Sequence, residues 1–383
     1  MTPTPIIVLT GFLGSGKSTL LSRLLQHSEF SNAGVVINEY GDVAVDHDLV
    51  TEGRPQVMTT STGCLCCTAA ADIRASMIEI HDAAKSAGRL PLTTVVVETT
   101  GLADPAPVVN QLVAGALPAF ALRDHTVARH YQLAGVVSTF DVTQGLHTLK
   151  NHPEAVKQIA FADRVLLTKT DLLDPAERDA RMTEVRRVVS GINASADIID
   201  VNDEGFSLRD AFSARAYAPA DLSDDVAGWL GAERHRAHHD HHHHHDHHHD
   251  DDHHHHDDDH HHHDDHHHHH SHEASGIATL SLVRDAPASK EGLAKVLDLV
   301  SFLHGPRLLR LKGIVGFEDD PDHPYVLQVV QHVVHPLARL DAWPGDDRRT
   351  RIVAIVNDID VGELQELFEQ AWSGARKKEP EDA

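Results

Sequence analysis

The chain has 383 residues, enough for two average domains, and 41% of them are apolar, so a globular core can be buried. Its 58 acidic residues against 33 basic ones give a formal charge of −25 with histidine neutral; this argues against nucleic acid and anionic membrane as partners, because both require basic patches. No apolar run approaches the ~18–20 residues needed to span a bilayer. Residues 1–222 alternate short β-branched runs with longer amphipathic segments. Strands are predicted at PIIVLT (5–10), GVVIN (34–38), TTVVVE (93–98), LAGVVSTF (133–140) and DRVLLTK (163–169). Near-continuous apolar runs suit strands covered on both faces, so the reading is an α/β three-layer sandwich around a mostly parallel sheet. The first residues carry no basic n-region and run directly into a strand, which does not resemble a signal peptide; a cytoplasmic location is expected. Residues 223–274 contain a tract of almost pure His and Asp, and with no apolar surface to offset the entropy of ordering they are read as a disordered linker. From 275 to 374 the pattern resumes, with strands at IATLSLV, LLRLKGIVGF, YVLQVVQHVV and TRIVAIVND and helices at KEGLAKVLDLVSFL and VGELQELFEQAW, which predicts a smaller α+β domain. Residues 375–383 are read as a flexible tail.

GFLGSGKS, Gly11 to Ser18, follows the first strand and opens a helix, the context in which G-x-x-x-x-G-K-[ST] binds phosphate. Gly11, Gly14, Ser15 and Gly16 let backbone N–H groups curl around the anion, and the helix N-terminus adds positive potential. Lys17 would reach the β- and γ-phosphates, and Ser18 would ligate Mg²⁺. TKTD, Thr168 to Asp171, ends a later strand. There the Asp171 carboxylate can accept both donors of a guanine edge while Lys169 packs its stem along the base, so GTP is the expected nucleotide. VVVETTG, Val95 to Gly101, delivers Glu98 toward the magnesium, and Gly101 allows the backbone to approach the γ-phosphate. Neither an arginine finger nor a water-positioning Gln is evident, so slow intrinsic hydrolysis is expected, with Lys17 and Glu98 as the catalytic pair.

All three cysteines, Cys64, Cys66 and Cys67, sit in GCLCCT, between NEYGDVAVD (38–46) and the Glu98 strand. Three thiolates this close suit Zn²⁺, with Co²⁺ or Cu⁺ competing, and leave a fourth ligand to come from Glu39, Asp42 or water. Such crowding cannot build a disulfide framework, which again points to a reducing compartment. Of the 36 histidines, 25 fall between His235 and His272, where neutral imidazoles would gather metal weakly and multiply. His332 and His335 are read as structural.

Taken in order, GFLGSGKSTLL, NEYGD, GCLCC, ETTGLADPAPV and TKTD resemble the CobW family of metal-handling GTPases, in the signal-recognition-particle, MinD and BioD class. The resemblance extends through the His-rich linker to the last domain with LLRLKG and Trp343. It implies Gly14, Gly16, Lys17, Ser18 and Thr19 at phosphate and Mg²⁺, Glu98 near the magnesium, and Lys169 and Asp171 at guanine. It also implies Cys64, Cys66 and Cys67 at the transferred metal, a client metalloprotein as partner, and a homodimer formed through the nucleotide face. Zinc delivery and cobalt insertion for cobalamin both occur in the family; a His-rich storage protein regulated by nucleotide and a kinase or other P-loop transferase are the other readings. Two departures stand out: Asn193-Ala194 replaces an Asn-Pro pair associated with the base-edge loop, and Ile37 stands where some relatives carry a Glu.

Overall fold

A computed structural model of the chain describes residues 3–37, 56–59, 73–112, 124–213, 270–272, 276–345 and 347–373. Seven parallel strands form the first sheet: β1 (Thr4–Gly11), β2 (Gly34–Ile37), β3 (Gln56–Thr59), β4 (Val95–Glu98), β5 (Tyr131–Asp141), β6 (Arg164–Thr168) and β7 (Asp197–Asp200), in the order β3-β2-β4-β1-β5-β6-β7. The five strands predicted for this half are all present. The sequence did not reveal β3 and β7: QVMT and DIID are four residues long, and the second is a half-exposed edge strand flanked by Asp at both ends.

Because side chains alternate across a strand, each strand feeds two cores. Ile7, Leu9, Val35, Ile37, Val96 and Leu166 pack on one face with the leucines of α1 (Lys17–Gln26). Ile6, Val8, Val97, Val165 and Leu167 pack on the other, against α2 (Ile73–Ser86), α3 (Ala106–Leu112), α4 (Asp124–His130), α5 (Gly145–Asn151), α6 (Pro153–Phe161) and α7 (Arg178–Ile192). These are the three layers expected of the P-loop architecture. A last short helix, α8 (Leu208–Ala211), returns to the α1 side, where Phe212 meets Phe30 edge-on at 6.2 Å.

The second sheet is antiparallel. It comprises β8 (His270–His272), β9 (Ile277–Arg284), β10 (Leu308–Phe317), β11 (Asp320–Val330), β12 (Val333–Val334), β13 (Ala338–Arg339) and β14 (Thr350–Asn357). The run YVLQVVQHVV, predicted as one strand, breaks at Gln331, whose φ of 53° turns the chain so that β12 folds back on β11. Helices α9 (Lys290–His304) and α10 (Val361–Ser373) cover one face. His270–His272, the end of the His/Asp tract, pair with β9, a bond that needs only backbone groups.

Part of the other face of this sheet packs on the first domain. Ile277, Leu309, Val330 and Ile355 belong to the same apolar cluster as Val108, Ile159 and Phe161 of the first domain. At the junction the Asp163 carboxylate accepts from Arg310 Nη2 at 2.5 Å, Lys312 Nζ at 2.6 Å and the Val136 amide at 2.7 Å. Arg310 also donates to the carbonyl of Phe161, the last residue of α6. Burial alone would raise the Asp163 pKa, yet the two cations and their hydrogen bonds hold it down at about 2. Both partners of the LLRLKG stretch are thus spent on anchoring the domains to each other.

Candidate nucleotide site

In an open parallel sheet the loops at the carboxyl ends of the strands form the ligand crevice. Here those loops follow β1, β4 and β6. After β1 the chain enters a loop in which Gly11, Gly14 and Gly16 all have positive φ, 138°, 72° and 96°. Gly11 is required twice over, since a Cβ there would lie 2.3 Å from Thr139 Oγ1. The loop delivers the N-terminus of α1, which has no side-chain cap and no acidic residue in its first turn. Its amide donors are therefore left to an external anion. Lys17 is buried, and its ammonium donates to the carbonyls of Gly11 at 2.7 Å and Phe12 at 3.1 Å, which holds it curled over the loop. Ser18 and Thr19 are exposed on the first turn.

Glu98 ends β4 and is buried, in register with Leu9 of β1 and Ile37 of β2. Thr99 continues the contact, its hydroxyl donating to Thr10 Oγ1 at 2.9 Å. A Cβ on Gly101 would stand 2.7 Å from the Leu13 amide, so this glycine lets the two phosphate-side loops touch. The segment after Glu98 thus abuts the phosphate loop through backbone.

At the base side Lys169 adopts left-handed backbone, φ 60°, and opens a single 3₁₀ turn, Thr170–Leu172, that presents Asp171 to solvent. Lys169 Nζ pairs with Asp141 at 2.6 Å. Asp141 is buried, which would raise its pKa, but Lys169, the Thr143 hydroxyl and the amides of Thr143 and Gln144 leave it below the usual carboxylate range. Asp171 Oδ1 accepts from Asn202 Nδ2 at 3.0 Å; Asp200 receives Thr170 Oγ1 at 2.7 Å and Arg178 at 3.2 Å. Sequence reading missed Asp141, Asp200 and Asn202. The signal was a carboxylate at the end of each neighbouring apolar strand. Asn193 is not at the base: its amide is fully buried at the opposite edge of the sheet, donating to the carbonyls of Ile159, Ala160 and Ala162, where it caps α6.

The two halves of the site are joined. Thr168 Oγ1 donates to the Ser15 carbonyl at 2.7 Å, and Ser15 Oγ bonds Thr139 Oγ1 at 2.6 Å. The base-side strand and the phosphate loop are therefore held in one rigid relation. Cys64, Cys66, Cys67, Glu39 and Asp42 lie outside the described residues, as does almost all of the His/Asp tract. Among the described residues no cluster of three or more His, Cys, Asp or Glu is placed to hold a metal ion. His335 is buried beside the domain junction, and its pKa is pushed down to about 4, first by burial and then by the charge of Arg310.

The model of the CobW/HypB/UreG nucleotide-binding domain matches residues 5–200, half of the chain, and that of the cobalamin synthesis protein CobW C-terminal domain matches residues 277–372. The chain belongs to the CobW/HypB/UreG family. Among similar members, the zinc chaperone YjiA of Escherichia coli K12 is 29% identical over 377 residues, which cover 98% of this chain and 100% of that protein. The zinc-regulated GTPase metalloprotein activator 1 of Schizosaccharomyces pombe is 30% identical over 205 residues, 52% of this chain and 46% of the other. A crystal structure of Zn(II)-bound YjiA GTPase from E. coli superposes with a TM-score of 0.62 at 20% identity, covering 97% of this chain and 99% of that one. That likeness shows a shared fold. No helix among the described residues is long and apolar enough to cross a membrane.

Proposed function

We propose that this chain binds GTP, hydrolyses it slowly and uses the cycle to load and release a transition metal, zinc first and cobalt as the alternative cargo. The metal is held as substrate by Cys64, Cys66 and Cys67 with Glu39, Asp42 or water as fourth ligand, and passes to a client metalloprotein in the cytoplasm. The observation that carries this reading is the bond from Thr168 to Ser15, which fixes a phosphate cradle and a guanine-type turn as one unit. The names of the relatives, zinc chaperones and a zinc-regulated GTPase metalloprotein activator, point the same way. Gly11, Gly14, Ser15, Gly16, Lys17, Ser18, Thr19 and Gly101 would surround the phosphates. Lys169 and Asp171 would take the base. Mg²⁺ would be held by Ser18, with Glu98 acting through a bound water, and would neutralise charge on the β- and γ-phosphates.

In sequence the thiols lie between β3 and α2, with NEYGDVAVD (38–46) before them and the Glu98 strand after them. A metal that prefers the GTP-bound arrangement must, by linkage, favour GTP in return. Competition of the full chain against a chromophoric zinc chelator tests this: tighter zinc with a non-hydrolysable GTP analogue than with GDP is the expected result. Equal affinity in the two states would remove the nucleotide-driven transfer. The His/Asp tract supports a second reading, storage, in which zinc stoichiometry falls on deletion of 235–272 while a client enzyme is activated no faster with GTP than with its inert analogue.

A further inference from the structure

Gln158, in the middle of α6, is almost completely buried, and no motif singled it out. Its amide nitrogen donates to the carbonyls of Gly101 at 3.2 Å and Ala103 at 3.1 Å, both in the loop that leaves Glu98. The preceding residue, Lys157, pairs with Asp104 of the same loop at 2.9 Å. The amide orientation is fixed, because only the NH₂ end can face two carbonyls. Gln158 also lines a cavity of about 30 Å³ under the phosphate loop, together with Phe12, Leu13, Ser15 and Ser138. Gln158 Oε1 and Ser138 Oγ, both buried, have no hydrogen-bond partner among the described residues, and the cavity is large enough for one water to serve the two.

The same short helix is gripped at both ends. At its start, His152 stacks on Phe12 of the phosphate loop with ring centroids 4.5 Å apart. At its end, Arg310 of the C-terminal domain caps the Phe161 carbonyl, and Asp163, two residues on, is clamped by Arg310 and Lys312. Asn193 occupies two more of its terminal carbonyls, those of Ile159 and Ala160, and that of Ala162 just beyond them. A nine-residue helix so constrained moves as a rigid rod or not at all.

We propose that Gln158 is the positioning residue that sets the loop after Glu98 for GTP hydrolysis, and that α6 makes this setting responsive to the C-terminal domain through its Arg310–Lys312 clamp. The inference rests on the GTPase reading given above. A loop shift driven by the γ-phosphate must either break the two Gln158 bonds or carry α6 with it. The second course displaces the junction that the C-terminal domain holds.

The test is a double-mutant cycle in the full chain, with Gln158→Met and Lys312→Met singly and together, read as kcat and KM for GTP. Each single variant is expected to lower kcat about 10-fold with KM within about 3-fold of wild type. The double variant is expected to fall no further than the lower single one, since both act through one element. Lys157→Gln, on a partly exposed side chain, serves if Q158M does not fold; a fall of about 3-fold in kcat at constant KM is then expected, and an unchanged kcat would overturn the proposal. Multiplicative losses in the double variant, or losses confined to KM or thermal stability, would overturn the coupling while leaving the GTPase reading intact. A wild-type chain that binds GTP without hydrolysing it would overturn both. Hydrogen exchange then gives an independent readout: amides 99–104 protected by a GTP analogue in wild type but not in K312M support the link, and equal protection refutes it.

Discussion

The two edges of the parallel sheet use similar charged residues to opposite ends. At the carboxyl edge, Lys17 and Lys169 are held by groups that a nucleotide can rearrange: loop carbonyls for the first, the Asp141 carboxylate for the second. At the amino edge, Arg310 and Lys312 converge on Asp163 in a buried junction that leaves no place for a ligand. One edge keeps its cations poised on backbone and solvent-facing turns, and the other neutralises them inside the protein. The difference lies in the partners and not in burial, since Lys17 is itself buried, and it decides which substitutions disturb chemistry and which disturb folding.

The contrast is broken most severely at the amino edge. Asp163→Leu strands two cations in the junction and should cost about 3–5 kcal/mol in chemical denaturation. Adding Arg310→Met and Lys312→Met should recover most of that, because an apolar trio needs no counter-charge. At the carboxyl edge, Lys17→Ala should slow hydrolysis by at least ~100-fold, about 2.7 kcal/mol of transition-state stabilisation, with an unchanged urea midpoint. A midpoint that moved instead would place Lys17 among the structural charges.

Acid sharpens the distinction. His335 has a folded pKa near 4, below its unfolded value of ~6.5, so the unfolded state binds the proton more readily between those two values. Stability should therefore fall as pH drops from about 6.5 toward 4, by on the order of 2 kcal/mol between pH 7 and pH 5, and H335Q should flatten that limb. Asp163, also depressed, keeps its full contribution above the ordinary value of 3.8 and loses it as pH falls from there through about 2, so it should add nothing between pH 7 and pH 5. The smallest effect belongs to the tie between the halves of the site. Thr168→Val removes one buried hydrogen bond and should cost about 1 kcal/mol, seen as weaker GTP binding and lower stability.

The carboxyl edge was largely legible in the sequence, since phosphate binding imposes glycines, a lysine and a hydroxyl at fixed spacing on a strand–helix turn. Gly11 and Glu98 end strands, Lys169 directly follows β6 and Lys17 opens α1, all beside one crevice. The amino edge was not. Asp163, Asn193 and Arg310 are separated by up to 147 positions and obey no spacing, because tertiary contact alone brings them together. Asn193 was read through a family pattern as a base-side residue, whereas its amide caps a helix at the far end of the strands. The break at Gln331 was hidden by an unbroken apolar run, which carries no sign of a residue turning into left-handed backbone.

Displacement of a fluorescent guanine nucleotide from the full chain, by GTP and by ATP in turn, tests the carboxyl edge most directly. With Asp171 reading two donors of the base, GTP should compete at least ~10-fold better than ATP, a difference of about 1.4 kcal/mol, and Asp171→Ala should erase the preference. Equal competition by the two nucleotides in the unmodified chain would contradict the guanine site and, with it, the switch built upon it.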